Sequence, residues 1–215
     1  MIVYHTTIIF GEIMSLKIKI FDKILKKLEN SRIYAVANNY NYFVYPYKGV
    51  LPIDITELNY IGKLIAKNIN PDVDLLFTFE VDGIYITQDV ASKLGKDFLV
   101  ARSFHYNLKE YNSIMQKTGY YEREMFFSFD KIKIKKIAII DCVLSTGRTI
   151  KASLDFFKKQ GIEVEGVYVV VNKCNYHSDT LIKNLGTKFF ALFDLEIKKD
   201  KILVNKSKYN QRKIK

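Results

Sequence analysis

The chain has 215 residues, 48% hydrophobic and 27% charged, the balance of one large domain with a buried core, which excludes a disordered or low-complexity chain. No apolar run reaches the roughly 18–20 residues of a bilayer-spanning helix, and the start, with Met1 or Met14 as initiator, lacks the pattern of a secretory signal. Lys and Arg number 34 against 23 Asp and Glu, a net charge of +11, but residues 198–215 hold eight basic side chains against Asp200 alone; the excess sits in a solvated tail, and nucleic acid is not expected as a partner.

Residues 16–30 place Ile18, Phe21, Ile24, Leu25 and Leu28 at helical spacing with lysines opposite, an amphipathic helix. Short strand-like runs follow at Ile33–Ala37 and Tyr42–Tyr45, and a helix carrying Leu58, Ile61, Ile65 and Ile69 begins after Asp54 or Thr56. The class-defining pattern comes next: apolar strand Val73–Phe79, polar turn Glu80–Gly83, helix Ile84–Leu94 and strand Phe98–Ala101. After an ambiguous stretch from Ser103 to Glu124 it resumes with strand Ile137–Ile140, a polar turn, helix Thr149–Gln160 and strand Val164–Val171. Strands apolar on both faces and separated by single helices require a parallel α/β sheet covered on both sides. Ligands of such sheets bind beyond the carboxyl ends of the strands, so the loops at 80–83, 102–124, 141–149 and 172–178 should converge. Cys142 and Cys174 show neither disulfide nor zinc spacing, which points to a reducing cytoplasm.

The run Ile137–Thr149 carries the chemistry. A buried strand ends in Asp141, and a tight turn with the hydroxyls of Ser145, Thr146 and Thr149 and one glycine, Gly147, opens a helix. Free amides at that helix start and the hydroxyls form a cradle for a phosphate, and Asp141 can accept from sugar hydroxyls beside it. The alternative is that Ser-Thr-Gly merely caps a helix. Neither Gly-x4-Gly-Lys-Ser/Thr nor Gly-x-Gly-x-x-Gly occurs, so a nucleoside triphosphatase or dinucleotide enzyme is not indicated.

Four apolar residues, an acid, a further residue, two apolar residues and Ser-Thr-Gly-x-Thr resemble the phosphoribosyl diphosphate signature of the type I phosphoribosyltransferases, a likeness that extends over about residues 73–195. Phe79–Ile84 followed by Phe98–Arg102 is similar to the family's pyrophosphate loop and next strand. Gly161–Val171 and the run from Phe193 are most similar to adenine and xanthine members.

The resemblance implies a parallel-sheet core over 51–187, with residues 1–50 and the strands and basic tail of 188–215 supplying a small cap, or hood. It implies that Ser145, Thr146, Gly147, Arg148 and Thr149 hold the 5′-phosphate, Asp141 and Cys142 the ribose, and Glu80, Val81, Asp82, Gly83 and Arg102 the pyrophosphate. Mg²⁺ would ride mainly on substrate oxygens, with no protein ligand assigned. Ser103–Glu124 would be a closing loop with Tyr106, Tyr111, Tyr120 and Tyr121 as contacts, and Glu122 would join Asp141 as a catalytic group. The base would meet Val143, Asn172, Lys173, Phe193 and Asp194, and the assembly would be a homodimer.

Three residues depart from the family pattern: Cys142 replaces a second acid, Asp82 stands where arginine is common, and Arg148 lies in the phosphate loop. The implied activity is transfer of the 5-phosphoribosyl group from phosphoribosyl diphosphate to a purine base, giving a nucleoside monophosphate and pyrophosphate in purine salvage. Ser145, where 6-oxopurine enzymes often carry Asp, favours adenine, and adenine with the product AMP is the expected pair; a 6-oxopurine (xanthine, hypoxanthine or guanine), favoured by Lys173, is the alternative, and Asn172 could read either. A non-catalytic regulator that binds phosphoribosyl diphosphate is the remaining alternative, although residues 1–60 show no helix-turn-helix pattern.

Overall fold

The computed structural model describes residues 2–36, 40–107, 109–117, 121–129 and 133–208, with residues 2–14 as backbone only. A helix α1 (Ile2–Glu29) runs further toward the N-terminus than the amphipathic pattern requires, and buries Phe21, Ile24 and Leu28. The antiparallel hairpin β1 (Ile33–Val36) and β2 (Tyr40–Phe43) follows, then α2 (Ile55–Ala66), started by Asp54, whose carboxylate accepts from the Thr56 and Glu57 amides. Lys23 and Lys27 of α1 reach the buried Glu57 of α2 at 2.9 and 2.6 Å, which fixes the two helices together.

The central sheet has six strands in the order β10-β9-β8-β7-β3-β4. These are β3 (Leu75–Phe79), β4 (Phe98–Ala101), β7 (Lys136–Leu144), β8 (Glu163–Lys173), β9 (Lys188–Lys198) and β10 (Lys201–Lys206). All pair in parallel except β10, which runs antiparallel to β9. Side chains alternate across the sheet. Ala138 and Ile140 face a core shared with α1, α2 and α3 (Gly83–Leu94), while Ile137 and Ile139 face one shared with α4 (Arg148–Lys159) and α5 (Ser178–Asn184). From β3 the chain crosses to β4 by α3 on one face, and from β7 to β8 by α4 on the other, so the strand order reverses between β3 and β7 and opens a crevice beyond their ends. Among the described residues no helix is long and apolar enough to cross a membrane.

Two readings are refined. Within the stretch left ambiguous, Asn112–Lys117 and Glu122–Phe127 are strands β5 and β6, paired antiparallel as a second hairpin tied to the sheet rim by the Arg102–Phe126 bridge. Ile114, Met125 and Phe127 bury one face of this hairpin in the α4-side core, and that burial orders it.

Residues 188–198 are not part of a cap, because β9 lies inside the main sheet between β8 and β10. Its apolar residues serve both faces of that sheet: Phe189 and Ala191 enter one core, Phe190, Leu192, Phe193 and Leu195 the other. The strand hairpin over the crevice is β1–β2 at the opposite end of the chain. Of the basic tail, residues 209–215 fall outside the described residues, while the Ser207 hydroxyl and Lys208 amide donate to Asp194 at 3.0 Å.

Phe193 is fully buried, with its ring 5.0 Å from that of Phe21. Phe193→Ala is therefore expected to cost about 3–5 kcal/mol, the usual range for emptying such a core position, measured by urea unfolding; a residue that stacked on a ligand instead would leave the stability of the free protein unchanged.

Candidate active site

A cavity of about 330 Å³ opens at the β3/β7 crevice and is lined by the β7–α4 turn, the β3–α3 loop, the second hairpin and the segment from Tyr40 to Lys48. The turn is built by local geometry. β7 ends at Leu144, and Gly147 takes φ +73° before α4 begins at Arg148. A methyl group at Gly147 would fall 2.9 Å from Ser178 Cβ, so both the left-handed backbone and the close approach of α5 demand glycine. The first α4 bond runs from the Lys151 amide to the Gly147 carbonyl at 2.8 Å. The amides ahead of Lys151 therefore have no intrahelical acceptor and sit at the positive end of the helix.

Ser145, Thr146, Gly147 and Thr149 line the cavity, and the Ser145 carbonyl is held by the Ser178 hydroxyl. Arg148 is exposed and lies outside the lining, so the structure does not bring its guanidinium into the cavity; helix periodicity turns this first α4 side chain outward.

Asp141 sits in β7 three residues before its end at Leu144, with Oδ1 accepting from the Cys142 amide at 2.7 Å. Burial, assisted by the Asp82 charge, pushes its carboxyl up to about 7, against the amide bond and Lys48, which act to lower it. Cys142 also lines the cavity; burial pushes its thiol well above the ordinary range, so it stays neutral and does not act as the missing second acid. Val143 completes this wall.

The loop Glu80–Gly83 forms the facing wall and contains a cis peptide between Glu80 and Val81. Gly83 is required by contact, since a methyl group there would lie 2.2 Å from Thr78 Oγ1 and 3.2 Å from Asp141 Oδ1. Asp82 does not stand as an isolated anion: Lys48 Nζ is 2.8 Å from its Oδ2. The Glu80 carboxylate turns to Ser103, whose amide donates at 2.8 Å, and to Arg102 and Arg123 at 3.5 Å. Burial raises the Glu80 carboxyl, but Ser103 and the two guanidiniums outweigh it and hold the group below its usual value. Tyr45 Oη, Thr78 Oγ1 and Asp82 Oδ1 are buried with no hydrogen-bond partner among the described residues, a concentration of unmet polar groups that marks this corner as a place for a polar ligand.

Several expected groups fall elsewhere. Arg102 reaches the Glu80 carboxylate but lies outside the cavity lining, whereas Arg123 lines the cavity and also donates to the Glu80 carbonyl at 3.3 Å. Glu122 is on the outer face of β6, its side chain 56% exposed and 3.4 Å from Lys117, because strand alternation gives the inward position to Arg123. Tyr121 lines the cavity, Tyr106 and Tyr111 are exposed away from it, and Tyr120 lies outside the described residues.

On the base side, Phe193 is core, and Asp194 accepts from Asn172 Nδ2 at 2.8 Å and from the chain after β10, so neither faces the cavity. Asn172 is fully buried in that arrangement. Lys173 is 1% exposed beneath the first hairpin. Its ammonium donates to the Asn41 carbonyl and lies 4.2 Å from the Tyr40 ring centroid and 5.0 Å from that of Tyr176. Burial pulls it down to about 8. Tyr40 in turn shares a 2.7 Å hydrogen bond with Ser145 Oγ, joining this lysine to the β7–α4 turn. Sequence reading missed Tyr40, Lys48 and Arg123, which reach the site only through folding.

Two outcomes follow from this geometry. Between about pH 4 and 7 the folded protein keeps a proton on Asp141 that the unfolded chain has released, so stability from this residue is complete below that window and lost as pH rises through 7. Asp141→Asn should therefore melt higher than the parent at pH 8, by about 2–4 kcal/mol of stability, with the difference vanishing near pH 4 in thermal scans. Gly147→Ala should cost roughly 1–3 kcal/mol through backbone strain, read as a lower midpoint in urea unfolding.

No family model matches the chain. A hypoxanthine/guanine phosphoribosyltransferase of Aciduliprofundum boonei is 30% identical over 184 residues, covering 85% of this chain and 98% of that protein. One of Methanobacterium lacus is 35% identical over 136 residues, covering 63% and 71%. Among solved structures, adenine phosphoribosyltransferase from Thermoanaerobacter pseudethanolicus superposes with a TM-score of 0.64 at 19% identity, over 79% of this chain and 97% of that one. The Trypanosoma brucei enzyme, solved with AMP, pyrophosphate and ribose-5-phosphate, gives 0.63 at 16% identity, over 80% and 79%. The sheet order, the β7–α4 turn and these relatives, two of them at 30% identity or more, agree: the chain belongs to the type I phosphoribosyltransferase family.

Proposed function

We propose that the protein transfers the 5-phosphoribosyl group of phosphoribosyl diphosphate to a purine nitrogen, releasing pyrophosphate and a nucleoside monophosphate, with a 6-oxopurine as the preferred base. The observation that carries the reading is that the free amides of the β7–α4 turn, the Asp141 carboxyl and the loop Glu80–Gly83 face one another across a single cavity.

In this reading the turn anchors the 5′-phosphate, and Asp141 accepts from the ribose hydroxyls. Displacement at C1 spreads positive charge over the sugar, and a carboxylate fixed beside it stabilises that charge without reorganising. Ribose hydroxyl donors favour the ionised form of Asp141, so substrate binding draws its proton off. Amides of the Glu80–Gly83 loop and the Arg123 guanidinium meet the leaving diphosphate.

The residues present fit Mg²⁺ carried on substrate oxygens. The described residues contain no group of three or more His, Cys, Asp or Glu that would cage a metal, while Asp82 Oδ1, a hard oxygen donor, lies buried with no hydrogen-bond partner. When bound, Mg²⁺ would offset the charge of the leaving group, with Asp82 as the protein contact.

The base preference rests on Lys173, which lies outside the cavity lining and packs against Tyr40 of its wall. An ammonium in an apolar, aromatic setting needs an acceptor; the Asn41 carbonyl supplies one here, and an exocyclic oxygen would supply the same. The amino group of adenine offers a donor there instead. The names of the Aciduliprofundum and Methanobacterium relatives support the same side. Adenine, favoured by Ser145 and by the names of the structural neighbours, is the second reading.

Pyrophosphate release should be measured with hypoxanthine, guanine, xanthine and adenine in turn. Turnover is expected to be fastest with a 6-oxopurine, and Lys173→Met should lower its kcat/KM about 10–100-fold, the value of one hydrogen bond to a charged donor. Faster turnover with adenine would establish the second reading. Silence with every base, with phosphoribosyl diphosphate still bound, would leave a non-catalytic regulator.

A further inference from the structure

The pyrophosphate loop of this chain presents an anion, Asp82, to the place where a multiply charged leaving group would sit, and the only lysine or arginine paired with it among the described residues comes from outside the loop. Lys48 follows the first hairpin, 34 residues upstream in sequence. Its ammonium is 2.8 Å from Asp82 Oδ2 and 5.4 Å from the Tyr42 ring centroid, and its side chain is 29% exposed where it lines the cavity. A lysine has three N–H donors. One is spent on Asp82 and a second on the Tyr42 hydroxyl, which leaves a third for a ligand in the cavity that Lys48 lines together with Glu80–Gly83.

We infer that Lys48 is a diphosphate-binding residue, delivered from the capping segment to do the work of the arginine this loop lacks, and that Asp82 is its positioning residue. The inference rests on the phosphoribosyltransferase reading above and adds a residue to it. Two consequences distinguish it from simple neutralisation of Asp82. Lys48 must matter for the diphosphate end of the substrate and not for the phosphate end, and it must still matter when Asp82 carries no charge.

The experiment is calorimetric titration of inorganic pyrophosphate and of ribose 5-phosphate, each with Mg²⁺, into the full chain and into Lys48→Ala, Lys48→Arg, Asp82→Asn and the double variant Lys48→Ala/Asp82→Asn. Lys48→Ala should weaken pyrophosphate about 10–100-fold, as for one charge-assisted contact, leave ribose 5-phosphate within twofold, and be partly rescued by Lys48→Arg. In the Asp82→Asn background the same lysine deletion should again weaken pyrophosphate at least about fivefold. Unchanged pyrophosphate affinity in either lysine deletion, relative to its own background, overturns the inference. Equal losses for both ligands also overturn it, because they show a damaged site in place of a specific contact. Failure of the parent chain to bind either ligand would instead overturn the broader reading.

Discussion

The architecture turns on the point where the chain changes direction across the sheet. From β3 the crossover helix α3 packs on one face and leads to β4; from β7 the helix α4 packs on the other face and leads to β8. Two adjacent strands thus send their following segments apart, and no backbone fills the space between them. Each segment opens a helix, so each brings unpaired amides and a positive helix end to the same crevice. Gly83 and Gly147 are the residues that let the backbone approach this closely, one against Thr78, the other against Ser178 in a left-handed turn.

Electrostatics at the crevice follows from the same arrangement. Burying Asp141 between two such loops costs its charge enough to raise its carboxyl toward neutrality, and Asp82 across the cavity adds to the cost. The compensation comes from two lateral elements. The N-terminal segment supplies Lys48 to Asp82, and the second hairpin supplies Arg123 to Glu80. Each links a covering element to the rigid sheet by a charged contact at the site, so the two flanks of the cavity are held by the groups that would meet a substrate.

The covering elements are also where charge and aromatic character are mixed most densely. Lys173, enclosed by Tyr40 and Tyr176, is tied to the β7–α4 turn through the Tyr40–Ser145 hydrogen bond.

By itself the sequence determined the α/β class, the strand-turn-helix at Ile137–Thr149 and the glycines of both loops, because these are contiguous patterns in which local periodicity and one permissive residue settle the geometry. It did not determine what lies beside them. Phe193 read as a stacking residue because it neighbours an acid, yet a strand inside a sheet covered on both faces buries its aromatics in the core whatever follows them. Glu122 and Arg123 are adjacent in sequence and opposite in space, and only the register of β5 against β6 decides which of them looks inward. Lys48 and Asp82 are separated by a helix and a strand. Their pairing exists because the folded chain places the end of the capping segment over the loop, a long-range juxtaposition that no local spacing encodes.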